Sequence, residues 1–364
     1  MIRVVLVDDE APARARLRAL LDEVGGVTVV AEAADADTAR AAVATHAPDV
    51  AFLDIEMPVE RGTDLAASLP EPRPLVVFAT AYERFAIDAF QYDAADYLLK
   101  PVTRERLRAT LDRLRAKLDA RRAVDREWHD ASRAQAHLLP RVLPDVPGYA
   151  IGAGTLPARA VGGDFYDVRR AGDRVALVLG DVAGKGMAAG LIASSVQARW
   201  ESAVGRDVRD LDALVGSLNR DVLASTEGSR YATLIHAVLD PSTGRVDYVN
   251  AGHPAALVVD ADGREVARLE PTAPAVGLME VGRFPVHVHT LAPGDTLVVV
   301  SDGVTEARDA AGDEWDLSAI PDLVARYRHG APALAAAIID AVRRHRGADQ
   351  GQDDVTVCIL GRLP

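Results

Sequence analysis

Short apolar runs alternate with amphipathic segments along the first hundred residues of the chain. Five runs have the length and composition of buried strands: IRVVLV, VTVVAE, DVAFLD, PLVVFAT and DYLLK. Apolar residues at helical spacing lie between several of them, over residues 12–21, 38–45 and 85–92. This alternation predicts a parallel α/β sheet, in which the loops beyond the carboxyl ends of the strands hold the functional site.

A helical pattern then extends from residue 103 to about residue 139. Leucines recur in it at alternating spacings of four and three, which is typical of a coiled-coil seam. A second register follows after an offset, so we expect a stutter or break near Arg121. The alternative is an amphipathic helix that packs on its own domain. The first register is Leu107, Leu111, Leu114 and Leu118, and the second is Val124, Trp128, Ala131, Gln135 and Leu138.

Strand-like runs dominate the chain beyond Pro140, Pro144 and Pro147, which end the helix. They are RVALVLGDV, ATLIHAVLD, VDYVNAG, AALVVD, PVHVHTL, TLVVVSDG and DVTVCIL. Helical stretches interrupt them near residues 187–204, 208–224 and 333–345. The pattern predicts an α+β domain with large antiparallel sheets. We therefore expect an α/β domain over residues 1–120, a linker helix over 103–139 and an α+β domain over 140–364.

Composition narrows the classes of function. The formal net charge of -13 argues against non-specific binding to DNA or to an anionic membrane, because both interactions need a positive surface. The first residues lack the features of a signal peptide, and no apolar run approaches the roughly 20 residues of a membrane span. The single cysteine, Cys358, lies in an apolar run and is expected to be a packing residue. We expect a soluble cytoplasmic protein with no nucleic-acid or membrane partner.

Chemically active residues follow four of the predicted strands in the first half. Asp8 and Asp9 follow the first run, Asp54 ends the third, Thr80 ends the fourth and Lys100 ends the fifth. Carboxylates from two neighbouring strand ends repel one another unless a cation binds between them, and Mg2+ prefers such oxygen ligands. Thr80 and Lys100 could then contact a phosphoryl group carried by Asp54.

The motifs LVDDE, FLDIEMP, FATAY and DYLLKP resemble the receiver domain of bacterial two-component response regulators over residues 1–120. The resemblance implies a flavodoxin-like, doubly wound fold and a cognate histidine kinase as partner. It also implies that Asp54 is the phospho-acceptor. Mg2+ would be bound directly by Asp9, through water by Asp8, by Asp54 itself and by the backbone carbonyl of Glu56.

The same resemblance assigns roles at the fourth and fifth strands. Thr80 and Lys100 would bind the phosphoryl group, Tyr97 would be the switch aromatic, and the bond between Lys100 and Pro101 would be cis. The stretch TAYERFAIDAFQYDAADYLLKPV is most similar to receivers that are joined to LytTR DNA-binding domains. Because no such output domain is evident here, this likeness concerns the ancestry of the receiver.

Acidic positions recur in the second half, most of them at strand ends. They are Asp164 in VGGDFYDV, Asp181 in LVLGDVAGKG, Asp302 in VVVSDGVTEA, and Asp353 with Asp354 in GQDDVTVCIL. A carboxylate cluster without histidine or cysteine at zinc-ligand spacing selects Mg2+ or Mn2+. Two such ions can share a water and lower its pKa, which supports phosphoester hydrolysis. The stretch GDVAGKG lacks the spacing of a nucleotide-binding P-loop.

These motifs resemble the SpoIIE-like branch of the PPM family of metal-dependent protein serine/threonine phosphatases, over about residues 135–362. The implied fold is a β-sandwich with helices on both outer faces. The resemblance implies two Mn2+ or Mg2+ ions, and Arg159 could bind the substrate phosphate. The implied metal ligands are Asp164, Asp181, Asp302, Asp353 and the backbone carbonyl of Val182.

Within VGGDFYDV, the two glycines are expected to let the backbone approach closely, so that Asp164 faces the metal ions. We expect Phe165 and Tyr166 to pack on either side of the strand. Asp167 is expected to be an outer-shell residue, beside the ligands, or a turn residue, and not a ligand.

Together the two halves indicate a phosphatase that is controlled by phosphorylation of Asp54. The linker helix would transmit this signal by changing the packing of a dimer. The resemblance implies a STAS-domain anti-anti-sigma factor as phosphorylated substrate, in a partner-switching pathway, and the leucine seam indicates a homodimer. One alternative is an adaptor whose phosphatase-like domain binds a partner without turnover. A transcription factor is the other alternative, although the acidic charge and the absence of a third domain count against it.

Overall fold

The computed structural model describes residues 1–81, 94–158, 160–206, 208–328, 330–347 and 353–364. The chain divides into two compact units, Met1–Arg126 and Glu127–Pro364. No helix among the described residues is long and apolar enough to cross a membrane.

The first unit is built on a parallel five-stranded sheet with strand order β2-β1-β3-β4-β5. This is the order of flavodoxin-like folds. All five strands predicted from the sequence are confirmed. The strands are β1 (Ile2–Val7), β2 (Val27–Ala33), β3 (Val50–Leu53), β4 (Leu75–Thr80) and β5 (Asp96–Leu99).

Helices cover both faces of this sheet. Two buried clusters lie on opposite faces, one containing residues of α2 and α3 and the other containing residues of α1 and α4. The short α3 was not predicted, because seven residues give little periodicity. The helix predicted over residues 85–92 lies outside the described residues. The helices are α1 (Ala11–Val24), α2 (Ala36–His46), α3 (Gly62–Ser68) and α4 (Arg104–Ala136).

The leucines of α4 pack inside the first unit. Leu107, Leu111, Leu114 and Leu118 are at most 5% exposed and belong to the cluster that contains Ile2 and other strand residues. The prediction that they form an intermolecular coiled-coil seam is therefore wrong, and the alternative reading of a helix packed on its own domain is correct. A leucine stripe looks the same in sequence whether it covers a sheet or a partner helix. Of the stutter or break expected near Arg121, a break is excluded, since α4 continues to Ala136.

The second unit contains two five-stranded antiparallel sheets, with strand orders β13-β10-β9-β8-β7 and β12-β11-β14-β15-β6. Side chains from both sheets meet in one buried cluster, which identifies a β-sandwich. The strands are β6 (Tyr149–Leu156), β7 (Asp164–Ala171), β8 (Arg174–Val182), β9 (Ala232–Asp240), β10 (Arg245–Ala251), β11 (Ala256–Val259), β12 (Glu265–Leu269), β13 (His287–Thr290), β14 (Thr296–Val300) and β15 (Val355–Arg362).

Helices pack on both outer faces of the sandwich, as expected. Trp200 is fully buried between β8, β9 and the helices α5 and α6, while Ile338 is buried between α9 and the other sheet. Cys358 is buried between the two sheets, in a packing role. The helices are α5 (Met187–Val204), α6 (Leu211–Thr226), α7 (Asp302–Thr305), α8 (Ala319–Arg326) and α9 (Ala331–Arg346).

Candidate functional sites

Lys100 connects two carboxylates at the carboxyl ends of the parallel strands. Its Nζ donates hydrogen bonds of 2.6 Å to Asp8 Oδ2 and 2.6 Å to Asp54 Oδ2. Asp8 and Asp54 are 7% and 8% exposed, so two nearly buried carboxylates share one ammonium group and keep a net negative charge. Burial raises the pKa of Asp54, and the bonds from Lys100 oppose this rise. Burial lowers the pKa of Lys100, but its bonds to Asp54 and Asp8 give a net increase.

A third carboxylate completes an oxygen cluster at this edge of the sheet. Asp8, Asp9 and Asp54 each offer an oxygen atom, and these atoms lie within 4.8 Å of one another. Asp9 is exposed while the other two are buried. A hard cation such as Mg2+ fits this donor set. The hydroxyl group of Thr80, at the end of β4, is buried without a hydrogen-bond partner among the described residues.

The remaining predicted receiver residues lie close to this cluster. The backbone N–H of Glu56 donates to Asp54 Oδ1 at 3.4 Å, which places the Glu56 backbone beside the carboxylate. Tyr97 lies in β5, half-buried, and its carbonyl accepts a hydrogen bond from Arg106. The bond between Lys100 and Pro101 is cis, as predicted.

In the second unit, two predicted ligands are opposed across a strand pair. Asp164, the first residue of β7, is the register partner of Asp181 near the end of β8. Burial raises the pKa of Asp164 well above its usual range, and the charges of Asp181 and Asp354 add to this. The hydroxyl group of Thr356 donates to Asp164 Oδ2 and partly opposes the shift.

The other two predicted ligands, Asp302 and Asp353, lie close enough to Asp181 for their charges to raise its pKa. Burial, followed by the charges of Asp302 and Asp353, raises the pKa of Asp181 to about 7. Burial, followed by the charge of Asp353, raises the pKa of Asp302 to about 6. Asp353 Oδ2 accepts a salt bridge of 3.1 Å from Lys185. Charge effects therefore link the four aspartates in series, from Asp164 through Asp181 to Asp302 and Asp353, although no three of these described residues place ligand oxygens within 4.8 Å of one another. Carboxylate donors of this kind suit Mg2+ or Mn2+.

Asp354 has a structural role that the sequence did not reveal. Its Oδ1 accepts the N–H of Ala158 at 2.7 Å, and its Oδ2 accepts the N–H of Gly163 at 2.8 Å. A Cβ atom at Gly162 would lie 2.2 Å from Asp354 Oδ2, and one at Gly163 would lie 2.7 Å from Asp181 Oδ1. The two glycines therefore permit the close backbone approach expected from VGGDFYDV, and Asp354 anchors that loop.

The rest of VGGDFYDV follows the alternation of a strand. Phe165 is buried against the outer helices and Tyr166 between the two sheets, as expected. The alternative that Asp167 is a turn residue is wrong. Asp167 is completely buried inside β7, where Arg169 Nε donates to its Oδ2 at 2.7 Å, and Arg169 also pairs with Glu201.

Two further predicted positions complete the set. Val182 ends β8, and its N–H donates to the carbonyl of Gly163 at 3.2 Å, which places this segment against the loop that precedes Asp164. Arg159, predicted to bind phosphate, lies outside the described residues.

Comparison with protein families identifies both units. A family model described as Stage II sporulation protein E (SpoIIE) matches residues 171–363, more than half of the chain. The chain belongs to the SpoIIE family. A second family model, response regulator receiver domain, matches residues 4–112. This SpoIIE-family chain therefore carries a receiver domain and a PPM-type phosphatase domain, and the resemblance seen in its motifs is confirmed.

Curated relatives of the SpoIIE-family chain resemble either unit. A response regulatory protein of Yersinia pestis is 51% identical over 112 residues, which are 30% of this chain and 47% of the relative. Transcriptional regulatory protein BtsR of Salmonella typhi is 49% identical over 112 residues, with the same coverage of 30% and 47%. Protein IcfG of Synechocystis is 34% identical over 209 residues, 50% of this chain and 33% of IcfG. The chain thus spans about half or less of the length of these relatives.

Solved structures show the fold of the second unit. The RsbU and RsbW domains of Rv1364c from Mycobacterium tuberculosis match with a TM-score of 0.54 and 30% identity, over 62% of this chain and 63% of that one. The SiaA-PP2C domain of Pseudomonas aeruginosa matches with a TM-score of 0.57 and 22% identity, over 67% and 99%. The SpoIIE-family chain therefore has a PP2C-like sandwich.

Proposed function

We propose that this protein is a response regulator whose phosphorylation at Asp54 controls a metal-dependent protein serine/threonine phosphatase. The observation that carries the hydrolytic assignment is the convergence of buried carboxylates, since Asp164 lies opposite Asp181 across β7 and β8 and the charge of Asp302 acts on Asp181. Burying carboxylates together costs free energy unless a cation or a proton binds them. Such clusters occur at functional sites because the function requires the charge.

In this proposal Asp164, Asp181, Asp302, Asp353 and the carbonyl of Val182 hold two Mn2+ or Mg2+ ions. Bound ions of this kind supply a water of lowered pKa as the nucleophile and neutralise charge on the phosphate. The chain itself orients the ligands. Thr356 fixes the Asp164 carboxylate by its hydroxyl, and Asp354 fixes the backbone of the same loop. Arg159 stays a prediction for contact with the substrate phosphate.

In the receiver, the carboxylate of Asp54 attacks the phosphorus of a phosphohistidine on a cognate kinase. A P–O bond forms, the P–N bond breaks and the imidazole leaves. Asp8, Asp9 and the Glu56 carbonyl would hold Mg2+, which neutralises charge on the phosphoryl oxygens. Lys100 lies within hydrogen-bond reach of Asp54, and the unpartnered hydroxyl of Thr80 can donate to a phosphoryl oxygen. Tyr97 would act as the switch residue of β5.

The proposed substrate is the phosphoserine or phosphothreonine of a STAS-domain anti-anti-sigma factor in a partner-switching pathway. Similarity at 30% identity to a structure that contains RsbU and RsbW domains supports this choice. The acidic net charge of the chain is consistent with a protein substrate and argues against nucleic acid.

The test incubates the purified full-length protein with phosphorylated STAS-domain proteins and Mn2+, and follows release of phosphate. We expect hydrolysis that Asp302→Asn abolishes and that Asp322→Asn, an exposed control in α8, leaves unchanged. An acyl-phosphate donor should change the rate in the wild type but not in Asp54→Asn. Binding of the STAS protein without phosphate release would favour the adaptor instead.

A further inference from the structure

The side-chain amide of Gln135 pairs with the backbone of Gly162. Its Nε2 donates to the Gly162 carbonyl at 2.7 Å, and its Oε1 accepts the Gly162 N–H at 3.1 Å. An amide is suited to this pairing, because it both donates and accepts in one plane. Gln135 is the second-last residue of α4, and Gly162 lies two residues before Asp164. Both belong to the second unit.

This contact is closely packed by the start of α5. A Cβ atom at Gly190 would lie 2.2 Å from Val161 Cγ1 and 3.3 Å from Gln135 Nε2. A Cβ atom at Gly186, which caps α5, would lie 3.4 Å from the indole ring of Trp128. The end of α4, the loop before Asp164 and the first turn of α5 therefore meet with no space for a larger residue at Gly190.

The end of the linker is fixed to the same region by a second amide. Gln197 Nε2, on α5, donates to the carbonyl of Leu138 at 2.9 Å and to the carbonyl of Tyr166 at 3.2 Å. Gln197 is 4% exposed, so these bonds are shielded from water. Two glutamines thus connect the linker to the strand that begins at Asp164, one on each side of that residue.

The loop that carries Asp164 is held from two directions. On one side, Gly163 donates to Asp354 and accepts from the N–H of Val182. On the other side, Gly162 is held only through its pair with Gln135 among the hydrogen bonds found in the described residues. Gly162 and Asp164 are separated by a single residue, so a shift of Gly162 displaces the carboxylate.

We propose that Gln135 is a positioning residue for Asp164, through which the linker helix sets the geometry of the metal site. This inference rests on the proposed phosphatase function. Gln135 contacts the backbone of the ligand loop and no reacting atom. The same helix begins with leucines buried in the first unit, so one continuous helix joins that core to Gln135. Loss of the amide pair would release Gly162 and lower the affinity of the site for metal.

The test replaces Gln135 in the full-length protein. Gln135→Ala removes both hydrogen bonds, whereas Gln135→Glu keeps the shape and the acceptor but loses the donor. Hydrogen–deuterium exchange of the peptide that covers residues 160–166 is measured in chelator and then during a Mn2+ titration. We expect faster exchange without metal, and a Mn2+ concentration for half-maximal protection that is about 10-fold higher, as for other residues that support metal ligands. In both the exchange rate and the Mn2+ midpoint, Gln135→Glu should lie between the wild type and Gln135→Ala. If Gln135→Ala does not fold, Gln135→Glu serves as the test variant.

The matched control is Arg133→Ala, on an exposed position two residues earlier in the same helix. It should leave both exchange readouts unchanged. Unaltered exchange in the Gln135 variants, or faster exchange with an unaltered Mn2+ midpoint, would overturn the inference. Because neither readout requires turnover, a protein without phosphatase activity would refute the proposed function and still give a result for Gln135.

Discussion

Asp164 and Asp181 lie directly opposite each other in the antiparallel pairing of β7 and β8. Like charges at directly opposed positions destabilise a sheet, and neighbouring carboxylates raise the pKa of both residues further. Local rules of sheet stability are broken here. Such conflicts are expected where function, and not folding, has selected the residue.

Asp181→Asn should therefore stabilise the metal-free protein while abolishing phosphoprotein hydrolysis. At about pH 8, where Asp181 is ionised, removing its charge from among the buried carboxylates should raise the free energy of unfolding of the second unit by about 1 kcal/mol. Urea unfolding in chelator, followed by tryptophan fluorescence, measures this, because Trp128, Trp200 and Trp315 all lie in the second unit. Asp173→Asn, at an exposed turn, is the control and should change neither quantity. A lower free energy of unfolding for Asp181→Asn than for the wild type would contradict the proposed repulsion between the two carboxylates.

Lys100→Met should slow phosphorylation of Asp54. Lys100 is placed to neutralise charge on the transferred phosphoryl group. Loss of one such donor should lower the rate of phosphorylation about a hundredfold. Intact mass spectrometry after incubation with an acyl phosphate and Mg2+ follows the gain of one phosphoryl group. The control variant Lys117→Met, which changes a lysine on α4, should react at the wild-type rate. Equal rates for the two variants would remove Lys100 from the phosphorylation site.

Leu111→Ala should destabilise the first unit without altering the oligomeric state. Leu111 is completely buried in the sheet-packing cluster, and truncation of such a leucine costs about 2–5 kcal/mol. Far-ultraviolet circular dichroism should show an earlier unfolding transition, while tryptophan fluorescence of the second unit stays unchanged. Val124→Ala, which is 51% exposed on the same helix, is the control. A change in mass by light scattering with unchanged stability would instead restore the seam hypothesis.

The sequence predicted the receiver sheet well because its signals are local. Each strand is an apolar run, and parallel pairing brings their carboxyl ends to one edge, so the meeting of Asp8, Asp54 and Lys100 follows from topology alone. The leucine stripe of α4 was misread, because spacing shows which face is apolar but not what covers it.

Other features of the candidate phosphatase site depend on contacts between distant segments. Asp354 is adjacent to a predicted ligand, yet its side chain accepts the backbone N–H of Gly163 only because β15 pairs with β6 and the loop after β6 brings Gly163 close. Asp167 was misplaced because aspartate is depleted in strands and common in turns. Its burial depends on Arg169, which neutralises its charge within the same strand.

His236 should make the second unit less stable in mild acid. It is completely buried in β9, 3.0 Å from the carbonyl of Leu177 and edge-on to Trp200. Burial lowers its pKa from 6.5 to about 4. Between these two values the unfolded chain binds a proton that the folded chain does not, so stability is fully present above the higher value and is lost as the pH falls toward the lower one.

His236→Gln should remove this dependence, because glutamine does not titrate. Between about pH 7.5 and about pH 5, the wild type should lose about 2 kcal/mol more free energy of unfolding than His236→Gln does. Urea unfolding at the two pH values, followed by tryptophan fluorescence, gives the difference. Only the change with pH is compared, since the substitution also alters packing at every pH. His287→Gln, at an exposed position in β13, should retain the wild-type pH dependence. Parallel losses in the wild type and His236→Gln would show that another group controls acid stability.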